Sequence, residues 1–177
     1  MTCSNSLFFE TDLNWNGIYI EPLKEIFGQL RKNRKCVCIE SAISSEEGIQ
    51  DFLEIEGPDM LSGLVKELDP RHVQRINYEL QNSKGNARIA KVKTITLQSV
   101  LDLYNIKYVD FISIDTEGAE FSVVNSIDYN KLKFGCMLIE NNYDDPKVRD
   151  FLYTKGYTNI GRLTIDDVYL NNELLNT

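Results

Sequence analysis

The sequence is poor in the residues that build several common kinds of site. It holds one histidine, four cysteines and four prolines among 177 residues. The cysteines form no C-x-x-C pair, so a zinc or redox site of that spacing is not expected. No window contains the roughly 18 consecutive apolar residues of a transmembrane helix, and the first residues show neither the basic flank nor the apolar run of a signal peptide. We therefore expect a cytoplasmic protein that does not engage a membrane.

Positive charge is also in short supply. The chain carries 19 basic and 27 acidic side chains, which gives a net charge of −8. A negative field repels phosphate backbones and removes the usual driving force for binding nucleic acid. We therefore expect no nucleic-acid partner. The length, with 42% hydrophobic and 26% charged residues, is typical of one folded domain, which we place over residues 1–177.

Apolar runs alternate with segments of helical periodicity. Runs typical of buried strands occupy residues 17–21, 36–39, 109–114 and 134–139, and an alternating strand is expected at 90–95. Helical spacing of apolar residues covers 23–32, 96–101, 119–127 and 146–154. Two further strands are expected as a closing pair at 158–163 and 167–170. This alternation predicts an α/β fold with a mainly parallel sheet and helices on both faces.

Residues 46–90 interrupt the alternation and are interpreted as an insertion in the domain. They contain a weakly alternating stretch at 50–55 and a helix start at Asp69-Pro70, where a capping residue precedes a proline. His72, the only histidine, follows two residues later. Histidine suits general-base chemistry because its ordinary pKa is near 6.5. The alternative is a histidine on a helix surface.

Acidic residues follow three of the predicted strands. Glu21, Asp115 and Glu140 each stand at a strand end, and parallel sheets bind their ligands beyond the carboxyl ends of the strands. Carboxylates gathered at one edge repel each other unless a ligand or cation uses them. The alternatives for each acid are a solvated loop residue or a helix cap, since acids near a helix N-terminus also complement its dipole.

These strand ends suit a nucleoside cofactor. Glu21 is placed to accept hydrogen bonds from both ribose hydroxyls, and Pro22 stiffens the turn that holds it. Ser41-Ala42 follows the next strand with small side chains, beside which an adenine ring could lie. Asp115 ends the most apolar strand, so we expect it to face the reacting end of the ligand.

Several short motifs occur in a specific order along the chain. They are Gly17-Ile18-Tyr19-Ile20-Glu21-Pro22, Asn33-Arg34, Leu61-Ser62-Gly63-Leu64, Thr96-Leu97-x-x-Val100-Leu101, Asp110-Phe111-Ile112-Ser113-Ile114-Asp115-Thr116-Glu117-Gly118-Ala119-Glu120, Ile139-Glu140-Asn141 and Gly156-Tyr157. Together they resemble the FkbM family of S-adenosylmethionine-dependent methyltransferases, from about residue 4 to residue 170. Asp115-Thr116-Glu117 also resembles a phosphatase acid pair, but its continuation into Gly118-x-Glu120 fits that class poorly.

The resemblance implies a Rossmann-like methyltransferase fold and O-methylation of a sugar or another small metabolite. It places Glu21 and Pro22 at the ribose, Ser41-Ala42 at the adenine, and Asn5 and Ser6 at the methionine end of S-adenosylmethionine. Asp115 and Glu117 would line the site near the methyl group, and Glu140 would face the acceptor.

The candidate catalytic groups are therefore Asp115, Glu117, Glu140 and His72. Any of the three carboxylates could serve as a general base, which is worth roughly 10²–10⁴-fold in rate. Oxygen ligands of this kind would also suit Mg²⁺, although the resemblance does not require a metal.

The resemblance is incomplete at one place. The family begins with a central strand and a glycine-rich loop around the cofactor, whereas only five residues precede Ser6 here. We therefore expect a sheet without its first central strand, as a fragment or by natural loss. The alternative function is a non-catalytic binding or assembly module, and an incomplete sheet favours self-association.

Overall fold

The fold is known from a computed structural model, which describes residues 4–57, 61–82 and 85–175. Its first two strands form a parallel pair. β1 (Ile18–Glu21) pairs with β2 (Val37–Glu40), and Glu21 lies opposite Glu40. The short helix α1 (Leu7–Thr11) precedes them and α2 (Lys24–Asn33) connects them. α2 follows Pro22 and buries Phe27 on its apolar face. Both strands and α2 confirm the sequence-based expectation for this segment.

A four-stranded sheet forms the largest part of the core. Its order is β7 (Tyr108–Ile114), β8 (Lys133–Glu140), β10 (Asp166–Asn171) and β9 (Tyr157–Leu163). β8 has neighbours on both sides, and its Phe134, Met137 and Ile139 are almost fully buried. Helices α5 (Glu120–Asn125) and α6 (Lys147–Thr154) add Val124 and Leu152 to the same cluster.

The segment predicted as an insertion contributes most of a third sheet. This sheet has the order β3 (Ala42–Ile43), β6 (Asn86–Ile95), β4 (Gly48–Glu56) and β5 (Gly63–Leu64). A 3-10 turn (Val65–Glu67) and helix α3 (Pro70–Asn82) follow β5. The remaining helices are α4 (Leu97–Leu103) and α7 (Asn172–Leu175). Thr96 caps α4 by accepting the Ser99 N–H at 3.0 Å.

The structure corrects the expectation of one mainly parallel sheet. The described strands form three separate sheets, in which β1–β2, β3–β6 and β7–β8 are parallel while β4–β5, β4–β6, β8–β10 and β9–β10 are antiparallel. The physical reason lies in the connections, because a short turn such as the one between β9 and β10 can only join antiparallel strands. The α/β character remains, since helices connect the parallel pairs.

None of the helices in the described ranges is both long enough and apolar enough to cross a membrane.

Candidate functional site

Three carboxyl groups meet where β7 and β8 end. The two strands run in parallel register with Ile114 beside Ile139, so Asp115 and Glu140 follow side by side. Glu117 comes from the loop after β7, and one carboxylate oxygen from each of the three residues lies within 4.8 Å of the others. These groups could hold a divalent cation, since their oxygen-only donor set suits Mg²⁺. The structure thus brings together three of the acids that the sequence singled out.

Glu120 shapes the loop that carries Glu117. Its carboxylate accepts hydrogen bonds from the Thr116 N–H at 2.8 Å, the Thr116 hydroxyl at 2.9 Å and the Gly118 N–H at 3.0 Å. Within this loop Glu117 has a φ of 54° and Gly118 a φ of 123°, which is the left-handed region that side chains usually avoid. The carboxylate of Glu120 thereby fixes a turn that directs Glu117 towards Asp115 and Glu140.

Burial and mutual repulsion raise the pKa of the three clustered carboxyl groups. The pKa of Glu117 rises to about 8, mainly through burial and further through the charge of Asp115. Burial of the carboxyl group is also the main cause of the raised pKa of Glu140 and of Asp115, with neighbouring carboxylates as the second cause. Asp115 as a whole residue nevertheless lies exposed at the end of β7. Such a cluster titrates as a unit and retains protons at neutral pH.

His72 stands directly behind Glu117. Its side chain is 1% exposed, so the alternative of a histidine on the helix surface is wrong. Its Nε2 lies 3.0 Å from the Leu61 carbonyl oxygen, while its Nδ1 lies 3.4 Å from Glu117 Oε2 and 3.3 Å from the Tyr143 hydroxyl. The burial follows from packing, because this face of α3 lies against the segments that carry Leu61 and Tyr143.

A pocket of about 280 Å³ opens above these groups. His72, Glu117 and Glu140 line it together with Asn142 and Tyr143. Asn142 donates a hydrogen bond to Glu140 Oε1 at 2.7 Å. Asp115 is not among the lining residues and lies on the opposite side of the carboxyl cluster, where it borders a second groove.

The residues expected at the cofactor occupy the neighbouring strand ends. Glu21 ends β1 directly before Pro22, and its Oε1 accepts the Leu23 N–H at 2.8 Å. Ala42 is 5% exposed, and the buried Ser41 donates its hydroxyl to the Lys93 carbonyl oxygen at 2.8 Å. The Ser41 hydroxyl is therefore already hydrogen-bonded within the protein, so only backbone groups at this position are left to contact a cofactor.

Asn5 and Ser6 bring the start of the described chain to the end of β7. The Asn5 side-chain amide donates to the Ser113 hydroxyl at 3.1 Å and to Asp166 at 3.4 Å. Ser6 lines the groove between β1 and β7. The structure thus keeps the expected cofactor residues near two strand ends, but it does not bring Glu21, Ser41 and Ala42 into the carboxyl cluster.

Two residues of the site were not expected from the sequence. Glu120 stands at a helix N-terminus, where the helix dipole alone explains an acid. The sequence therefore contains no separate signal for its role in shaping the loop. Tyr143 follows β8 by three residues in a loop, and nothing in the local pattern marks its contact with His72.

Comparison with known proteins gives one match. The Methyltransferase FkbM domain matches residues 2–159, which include the carboxyl cluster, His72 and the expected cofactor residues. Neither the comparison with curated proteins nor that with solved structures gave a match. Since the matched region covers most of the 177 residues, the chain belongs to the FkbM methyltransferase domain family.

Proposed function

We propose that the protein transfers a methyl group from S-adenosylmethionine to a hydroxyl group of a small polyhydroxylated molecule such as a sugar. The observation that carries this proposal is the cluster of Asp115, Glu117 and Glu140 at the shared end of β7 and β8. One side of the cluster opens into a pocket of about 280 Å³, and the other side faces the strand ends expected to hold the cofactor. A methyl donor and an acceptor could therefore approach the same carboxyl groups from opposite sides.

The charges around the pocket favour a neutral acceptor. Lys66, Arg71 and Lys147 line it, but each forms an ion pair with a nearby acid, respectively Glu46, Asp69 and Asp145. Asp115, mostly ionised beside the carboxyls that line the pocket, would repel an anionic acceptor, and these three cations are already paired. Hydroxyl groups can donate to carboxylates and accept from neutral carboxyls or from the Asn142 amide.

S-adenosylmethionine would supply a sulfonium methyl group, which is transferred by in-line displacement. The acceptor oxygen would form a bond to the methyl carbon as the carbon–sulfur bond breaks and S-adenosylhomocysteine leaves, and the hydroxyl proton would pass to a base. Asp115 suits that role as the final proton acceptor, because its pKa, raised to about 6, leaves it mostly ionised at neutral pH. It lies within 4.8 Å of Glu117 and Glu140, which line the acceptor pocket and would pass the proton on. Glu117, with a pKa raised to about 8, stays largely protonated and can donate a hydrogen bond that orients the acceptor.

Cofactor binding is assigned to Glu21, Pro22, Ser41, Ala42, Asn5 and Ser6. Glu21 supports this assignment because the Leu23 N–H holds its carboxylate in place at the end of β1. Such a fixed acid can accept both ribose hydroxyls without first being ordered. Asn5 is likewise held by Ser113 and Asp166, which fixes its position at the end of β7.

Calorimetric titration with S-adenosylmethionine and S-adenosylhomocysteine tests the proposal. We expect micromolar binding by the wild-type chain and at least tenfold weaker binding by Glu21→Gln, since a hydrogen bond to a charged group contributes about 1.5–3 kcal/mol. The control is Glu47→Gln, which changes an exposed acid and should bind as the wild type does. Absence of binding by the wild-type chain would contradict the proposal and favour a non-catalytic module.

The acceptor is sought with labelled S-adenosylmethionine and a panel of sugars and other neutral polyols. We expect Asp115→Asn to lower the rate of methyl transfer by roughly 10²-fold or more while cofactor binding persists. Equal rates for the wild type and Asp115→Asn would show that Asp115 is not the base.

A further inference from the structure

The loop of residues 141–145 follows β8 and forms one wall of the pocket above the carboxyl cluster. Asn142 and Tyr143 lie on this loop, and both line the pocket. Asn142 donates to Glu140 at 2.7 Å, and the Tyr143 hydroxyl lies 3.3 Å from His72 Nδ1. The position of the loop therefore decides which polar groups an acceptor meets on this side of the pocket.

The β9–β10 hairpin holds the loop from outside the pocket. The Ile165 carbonyl oxygen accepts the Asn141 N–H at 3.0 Å. Arg162 donates to the Asn141 carbonyl oxygen at 2.6 Å and forms an ion pair with Asp144. The Asp167 carboxylate accepts the side-chain amide of Asn141 at 2.8 Å. These three residues of the hairpin do not belong to the lining of the pocket, so they reach it only through the loop.

Asn141 extends this hold to the rest of the loop. Its side-chain oxygen accepts the Asp145 N–H at 2.8 Å, and its amide donates to the Asp145 carbonyl oxygen at 3.2 Å as well as to Asp167. One side chain thus closes the loop across four residues and ties it to β10. Asn142 and Tyr143 lie between the two ends that Asn141 joins, so their positions depend on its contact with Asp167.

Asp167 is a buried acid without a cation. It is 8% exposed, and no ion pair reaches it within the described part of the chain, since Arg162 opposite it on β9 pairs with Asp144 instead. Its hydrogen-bond donors are the Asn141 amide at 2.8 Å and the Tyr169 hydroxyl at 3.3 Å. Burial of a carboxyl group costs free energy that an apolar side chain would not cost. Packing alone therefore does not explain an acid here, whereas its hold on Asn141 does.

We propose that Asp167 is a positioning residue of the acceptor pocket, which acts through Asn141 on Asn142 and Tyr143 and does not itself touch the acceptor. Groups that are held in place before the acceptor arrives bind it without a further cost of ordering. The presence of an acceptor in this pocket rests on the proposed function. The effect of Asp167 on the loop does not, so the two can be tested separately.

Nitrogen-15 spectra of His72 report the position of the loop, because the Tyr143 hydroxyl contacts Nδ1 and the chain has a single histidine. Tyr143→Phe removes this contact and marks where the Nδ1 resonance lies without it. We expect Asp167→Leu to move the resonance most of the way to that position, since the loop loses its hold. Asp167→Asn should keep the wild-type resonance, because an amide oxygen can still accept from Asn141.

Tyr169→Phe is the matched control. It removes the other donor to Asp167 at a position that is 1% exposed, but it leaves the contact with Asn141, so we expect the wild-type spectrum. Asn141→Gln keeps the amide and moves it outward by one methylene, so it should shift the resonance even if Asp167→Leu does not fold. A wild-type spectrum in Asn141→Gln and Asp167→Leu, or an equal shift in Tyr169→Phe, would overturn the proposal.

Methyl-transfer kinetics with an acceptor from the panel give the second readout. We expect Asp167→Leu to raise the acceptor KM by roughly tenfold with a smaller change in kcat, because Asn142 and Tyr143 hold the acceptor and are not the base. Asp167→Asn should restore the wild-type KM, and the Kd for S-adenosylmethionine should stay unchanged in both variants. Equal weakening of cofactor binding would overturn the proposal. A wild-type chain that binds no cofactor would contradict the proposed function and leave the His72 result standing.

Discussion

His72 Nδ1 lies 3.4 Å from Glu117 Oε2, while the Nε2 of the same ring lies 3.0 Å from the Leu61 carbonyl oxygen. A carbonyl oxygen can only accept a hydrogen bond, so Nε2 must carry a proton. In the neutral ring Nδ1 is then an acceptor, to which the Tyr143 hydroxyl at 3.3 Å and a protonated Glu117 at 3.4 Å can both donate. The raised pKa of the buried Glu117 agrees with that assignment.

The first prediction concerns this tautomer. Nitrogen-15 spectra of the imidazole need no assignment by mutation, because His72 is the only histidine. In the neutral ring we expect the Nε2–H tautomer, held by Leu61, with Nδ1 showing the shift of a hydrogen-bonded acceptor. Glu117→Gln should move the Nδ1 resonance and leave the Nε2–H in place. A spectrum of the Nδ1–H tautomer would contradict the hydrogen-bond arrangement described here.

The second prediction is a pH dependence of stability. The pKa of Glu117 is near 4.5 as an ordinary side chain and rises to about 8 in the fold. Between these values the folded state binds more protons than the unfolded state, so stability falls as the pH rises. We expect Glu117→Gln to flatten this fall, and to raise the melting temperature by several degrees more at pH 8.5 than at pH 5.

Thermal scans in EDTA measure this effect without a divalent cation that would offset the repulsion among the carboxylates. Glu47→Gln is the control, because it removes one exposed acid. It should change the melting temperature by the same amount at both pH values. Identical pH profiles for the wild type and Glu117→Gln would show that Glu117 ionises normally in the fold.

The position of the carboxyl cluster could be anticipated from the sequence because it depends on local rules. Asp115 and Glu140 end neighbouring apolar strands, and parallel strands present their carboxyl ends at one edge. His72 differs, since it lies 45 residues before Glu117 in the chain and reaches it only through the packing of α3. The antiparallel pairing of β10 with β8 gives no comparable local signal, because apolar alternation does not encode strand direction.

The third prediction compares two glycines that both have positive φ. A Cβ added to Gly118 would lie 2.7 Å from the Glu67 carbonyl oxygen, whereas one added to Gly156 would meet nothing within 4 Å. Gly156→Ala should destabilise the fold by about 1 kcal/mol through backbone strain alone. Gly118→Ala adds an overlap with backbone worth about 1–3 kcal/mol, so we expect a total loss of roughly 2–4 kcal/mol. Urea denaturation of both variants measures the difference, and equal losses would refute the close approach.

The fourth prediction concerns Arg34, which anchors α1. Its guanidinium donates to Glu10 and to the Tyr19 hydroxyl, both at 3.1 Å, and also to Ser4. The guanidinium carbon also lies 4.4 Å from the centre of the Tyr19 ring. The side chain of Arg34 is 2% exposed and that of Glu10 is 7% exposed. Lysine keeps the charge but lacks the planar fork that serves three partners at once.

We expect Arg34→Lys to lower the free energy of unfolding by about 3 kcal/mol, because it leaves buried groups without donors. Arg88→Lys is the matched control, since Arg88 also contacts a carboxylate through two nitrogens, both 2.9 Å from Glu54, but is 61% exposed. Arg88→Lys should lower the free energy of unfolding by less than about 1 kcal/mol. Exchange of the β7 amides should also quicken in Arg34→Lys alone, because Arg34 holds α1 through Glu10 and α1 packs Phe9 against Phe111 of β7. If both variants lost similar free energy of unfolding, burial of the Arg34 guanidinium would add nothing to the stability that an exposed bidentate contact already gives.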